Sequence, residues 1–118
     1  MTAGLSLLVL RAQDIERTRQ FYELLGLRFT REQHGSGPEH FAAVLAGDVV
    51  LEIYPSRRAR AEEGVRLGIR VDDPEAAIAR IVAAGLAAPP PGGRGSRSIE
   101  DPDGNTVALT DWVADVSR

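Results

Sequence analysis

Residues 8–29 read LVLRAQDIERTRQFYELLGLRF, and residues 67–89 read LGIRVDDPEAAIARIVAAGLAAP. Each stretch begins as an apolar strand and turns into a helix at an aspartate. Asp14 can accept hydrogen bonds from the free N–H groups of the first helical turn, and Glu16 suits the positive end of the helix dipole. Ile15, Thr18, Tyr22 and Leu25 recur at helical spacing, and Gly26 is a natural left-handed stop. In the second stretch Asp73 takes the cap, Pro74 the first helical position and Gly85 the stop. Leu8, Leu10, Arg11, Asp14, Glu16, Gly26 and Leu27 match Leu67, Ile69, Arg70, Asp73, Glu75, Gly85 and Leu86, every pair 59 positions apart. Such internal duplication constrains a fold more strongly than any single motif.

After each helix, short strands alternate with the turn signals HGSGPEH (34–40), AGD (46–48), PPPGGRGS (89–96) and DPDG (101–104). Each half therefore reads βαβββ. The expectation is one α+β domain over 1–118, with module one at about 4–56 and module two at about 64–113. A chain of 118 residues has room for one hydrophobic core and not two independent ones.

Composition narrows the function classes. Net charge is −3 with no broad basic stretch, which argues against a nucleic-acid partner. No run approaches the roughly 20 apolar residues of a membrane span. Nothing at the N-terminus reads as an export signal, so the expected location is cytoplasmic. The absence of cysteine excludes disulfides, thiol catalysis and thiolate metal sites. Every basic residue is an arginine, the better donor for planar anionic groups.

Strand alternation assigns faces. Leu8, Leu10, Leu67 and Ile69 should face the helices, together with Val49, Leu51, Ile53, Val107 and Leu109. The opposite face then carries Leu7, Glu52, Tyr54, Arg66, Thr106, Ala108, Thr110 and Trp112. One acid, one arginine and two aromatics among small residues look more like a pocket lining than a bare solvated surface.

In LRAQDIERTRQFYELLGLRF, VVLEIYP, IRVDDPEAAIARIVAAG and EDPDGNTVAL, in that order, the chain resembles the vicinal oxygen chelate superfamily of glyoxalases, bleomycin-resistance proteins and extradiol dioxygenases. The resemblance implies two βαβββ modules whose mixed sheets curl into an open cup, with the helices on the outer face. In metal-dependent members, four strands each give the cup one ligand, and those positions map to Leu7, Glu52, Arg66 and Ala108. Only Glu52 can coordinate an ion. Leu7 has no donor, Arg66 is a permanent cation, and Ala108 stands where a glutamate is normally found. One carboxylate does not hold a transition-metal ion against water.

The resemblance thus implies a metal-free, cofactor-free homodimer of the bleomycin-resistance type, which sequesters a small-molecule ligand in its cup. Leu7, Glu52, Tyr54, Arg66, Ala108, Thr110 and Trp112 are the expected ligand contacts, with Glu52 and Arg66 able to pair across the cup. The rival expectation is a metal-free lyase or isomerase using Glu52 as general base. His34 and His40 read as parts of a polar hairpin loop with no converging acid. Arg94, Arg97 and the run SRRARAEE (56–63) read as solvated connections.

Overall fold

The computed structural model describes residues 2–58, 63–93 and 95–112. Module one runs β1 (Leu7–Ala12), α1 (Ile15–Leu24), β2 (Thr30–Glu32), β3 (His40–Val44) and β4 (Val50–Pro55). Module two runs β5 (Arg66–Arg70), α2 (Pro74–Ala83), β6 (Ser98–Glu100) and β7 (Thr106–Thr110). The fold is the expected α+β pair of βαβββ-type modules, built on two mixed sheets that do not close. Their strand orders are β1-β4-β3-β2 and β5-β7-β6. Where the repeat calls for a further strand between α2 and β6, the described residues form none. Pro89, Pro90 and Pro91 there offer no N–H to a ladder.

The helices start where the sequence places them. Asp14 Oδ1 accepts from the backbone N–H groups of Glu16 and Arg17, and Asp73 Oδ1 from that of Ala76. Both end in a left-handed glycine, Gly26 at φ 111° and Gly85 at φ 72°. Their apolar faces close the core over the sheets. Phe21, Tyr22 and Leu25 of module one lie in one buried cluster with Leu10, Phe41, Leu51, Ile53, Ile78, Ile81, Val107 and Leu109.

A polar latch joins the modules within that core. The Tyr22 hydroxyl donates to Asp101 Oδ2 at 2.6 Å, and Thr18 Oγ1 donates to Asp103 Oδ2 at 2.6 Å. Asp101 also accepts from the backbone N–H groups of Asp103 and Asn105 and from Asn105 Nδ2. The Asp-Pro-Asp-Gly turn is therefore also the receptor for α1 of the other module. Arg17 and Arg80 add a bond each way, to the carbonyls of Gly85 and Leu24.

Burial, and then the charge of Asp101, push the Tyr22 hydroxyl well above the usual tyrosine range. The folded-state pKa is the higher one, so this contribution to stability is complete below about pH 10 and declines above it, where only the unfolded chain releases the proton. With no lysine or cysteine in the chain, few other groups titrate in that window. Stability should fall by about 1.4 kcal/mol per pH unit above about pH 10, and Tyr22→Phe should flatten that limb. Denaturant titrations at several alkaline pH values test this, and an unchanged limb in Tyr22→Phe would refute it.

Candidate functional site

Strand register brings the polar residues of module one into rows on the face away from the helices. Arg11 pairs with Tyr54 across β1 and β4, and Val9 pairs with Glu52. On the other flank of β4, Ala42 is opposite Glu52, and Glu32 is opposite His40. The His40 ring stacks on Tyr54, with centroids 4.0 Å apart and planes 10° from parallel. The Arg11 guanidinium lies 5.3 Å from the same tyrosine ring. Because β1 and β3 flank β4 on opposite sides, Tyr54 is held between its neighbours. It presents an edge and a hydroxyl, not an open aromatic wall.

His40 is not the loop residue the sequence suggested. It opens β3 and is 1% exposed. Its Nε2 lies 3.3 Å from Glu32 Oε1 and 3.6 Å from Glu52 Oε2, and His34 Nε2 lies 3.5 Å from Glu32 Oε1. An acid does converge on the histidines, and it is Glu32. The hairpin pairing of β2 with β3 places it there, which no local pattern announces.

In module two, Arg66 is opposite Thr106, Gly68 opposite Ala108 and Arg70 opposite Thr110. On the far side of β7, Ser98 is opposite Ala108 and Glu100 opposite Thr106. Gly68, Ala108 and Ser98 therefore form a row of minimal side chains across three strands. Larger groups stand on both sides: Arg66, Thr106 and Glu100 on one, Arg70 and Thr110 on the other. Past the end of β7, Trp112 lies under Arg70, whose guanidinium is 4.7 Å from its ring. Trp112 is 46% exposed. Arg66 and Trp112 thus stand toward opposite ends of this small-residue row.

The four positions that would hold metal in the resembled superfamily fall into two pairs on two sheets: Leu7 and Glu52 on one, Arg66 and Ala108 on the other. Leu7 is an exposed apolar side chain, and Arg66 is also exposed. These residues do not fit that chelate. The expected Glu52–Arg66 pair does not form within the chain; Glu52 faces His40 instead. Arg97 is tied down, its Nη1 3.3 Å from Asp111 Oδ2 and its carbonyl bonded to Leu109 N–H. Arg94 and half of the 56–63 run (residues 59–62) lie outside the described residues.

Neither of two surface grooves on the chain includes any of the seven expected contact residues. One follows Pro89–Pro91 and Ile99, and the other lies between Val9–Arg11 and Val65. The edges of β1 and β5 are unpaired among the described residues. Beside them Leu5, Leu7 and Val65 are exposed. No described helix is long and apolar enough to cross a membrane.

A model of the Glyoxalase/Bleomycin resistance protein/Dioxygenase superfamily matches residues 4–109. Among solved structures, the fosfomycin resistance protein FosX from Mesorhizobium loti is 23% identical, with a TM-score of 0.67 and full coverage of both chains. TnmS3, an antibiotic binding protein from Streptomyces sp. CB03234, is 25% identical with a TM-score of 0.65, covering 93% of this chain and 96% of its own. A FosX from Listeria monocytogenes, complexed with Mn(II) and a dihydroxypropylphosphonic acid, is 20% identical with a TM-score of 0.69, covering 92% of each chain. No curated protein matches the sequence.

Proposed function

Since the chain belongs to the glyoxalase/bleomycin resistance protein/dioxygenase superfamily, we propose that it is a small-molecule binding protein that encloses its ligand without the superfamily's central chelate. The row of small side chains at Gly68, Ala108 and Ser98 carries this reading. A glutamate at 108 would interrupt it and supply a metal ligand; an alanine lets a flat molecule approach the sheet. Such a ligand would stack on Trp112 and direct an anionic group to Arg66, with Leu7, Glu52, Tyr54 and Thr110 completing the cup. Contact with apolar surface there yields several kcal/mol, at roughly 25 cal/mol per Å² before ordering costs. The likeness to an antibiotic binding protein supports the same class.

The test is a panel of planar, anionic small molecules followed by thermal melting and Trp112 fluorescence. Binding without consumption of the ligand supports sequestration. Turnover that is abolished by Glu52→Gln would instead favour the rival, a metal-free lyase or isomerase with Glu52 as base.

A second copy completes the site in this reading. One chain separates Leu7 and Glu52 from Arg66 and Ala108, and leaves two open strand edges beside exposed apolar residues. Unpaired edges invite pairing, and closed two-fold dimers are the commonest oligomer. With β1 of one copy beside β5 of the other, each cup takes half its lining from each chain. Light scattering should give about twice the chain mass of 12.7 kDa, and Leu7→Glu should shift it to monomer. A wild-type monomer at micromolar concentration would overturn the arrangement.

A further inference from the structure

The geometry points to a divalent transition-metal site, best suited to Zn²⁺, at Glu32, His34 and His40, displaced from the superfamily's central chelate. It shares only Glu52 with the ligand-binding reading, and an ion here does not require an occupied cup.

The buried histidine carries the inference. His40 Nδ1 lies 3.2 Å from the Pro38 carbonyl, which can only accept, so in the neutral ring the proton sits on Nδ1. Nε2 then presents a lone pair. It is buried and has no hydrogen-bond partner, although two carboxylates stand within 4 Å. A lone pair set close to two anions is unfavourable by itself and favourable around a cation. Backbone fixing of the distal nitrogen is also how metal-binding histidines are oriented.

Spacing agrees with chemistry. One ligand atom each from Glu32, His34 and His40 lies within 4.8 Å of the other two. The 3.3 Å and 3.5 Å separations from Glu32 to the two imidazoles match the edges of a tetrahedron with bonds of about 2.0–2.1 Å. His34 is 72% exposed on its side chain and free to turn inward. Two imidazoles and one carboxylate suit Zn²⁺ over Mg²⁺ or Ca²⁺, and they leave a fourth position open. Glu52, beside His40, adds the second negative charge that balances the ion.

The full chain, stripped with chelator and exchanged into metal-free buffer, is titrated with Zn²⁺ by calorimetry and with Co²⁺ by visible absorption. One ion per chain is expected, with the intense cobalt spectrum of a four-coordinate site. Glu32→Gln and His34→Gln should each weaken binding at least ~10-fold. Neither side chain is buried, so both variants should melt like the wild type in the absence of metal. Glu75→Gln, an exposed carboxylate on α2 outside both sites, should bind the ion as the wild type does. No saturable uptake at a large excess of ion, or uptake unchanged in both Glu32→Gln and His34→Gln, would overturn the site. Neither failure touches the ligand-binding proposal, whose carrying observation, the row of small side chains, lies in module two.

Discussion

Asp101→Ala should destabilise the protein by about 3–5 kcal/mol, the range for removing one partner of a buried charged network. The carboxylate is 3% exposed and accepts from Tyr22, from Asn105 Nδ2 and from two backbone N–H groups. Alanine leaves all of these donors without their acceptor in a space that water does not readily reach. Asp101→Asn keeps the shape but puts an N–H₂ where one oxygen accepted, so an intermediate loss is expected. The effect should appear as a lower denaturant midpoint with an unchanged slope. A loss under about 1 kcal/mol for Asp101→Ala would show that the turn holds its shape without the latch.

Trp112→Ala should do the opposite, sparing the fold and removing ligand affinity. The indole is about half exposed and is covered on one side by Arg70. Truncation should therefore change stability by no more than about 1 kcal/mol, whereas loss of an aromatic anchor typically costs at least ~2 kcal/mol of binding, roughly 30-fold. Tyr54 cannot compensate, since both its flanks are occupied by Arg11 and His40. Calorimetry on wild type and variant, beside their melting curves, checks both halves. A variant that is badly destabilised yet binds normally would mean that Trp112 is packing and not a ligand wall.

Those two residues also mark what a sequence can disclose. Both helix starts follow from Asp14 and Asp73, whereas Trp112 lies past the end of β7, beyond the strand whose alternation was to place it. The helix signals are local, and the 59-residue repeat multiplies them. The seat of Tyr22 is legible as apolar periodicity, but its partner Asp101 is 79 residues away. Only the packed core brings them together. His40 was hidden for a related reason. HGSGPEH looks like a solvated loop, and only the register of β2 on β3 shows that its last residue begins a strand facing Glu32. The FAAV run after His40 was the one available hint. Alternation continued back through it puts His40 on the same face as Ala42 and Val44.

The latch has a consequence for how two copies could trade partners. Module one and module two of a single chain are joined through Tyr22, Thr18, Asp101 and Asp103. In the proposed dimer, association at the β1 and β5 edges would leave that latch closed. Exchange of subunits would then be a matter of docking and parting preformed surfaces, and a cup made from two chains would come apart on dilution alone.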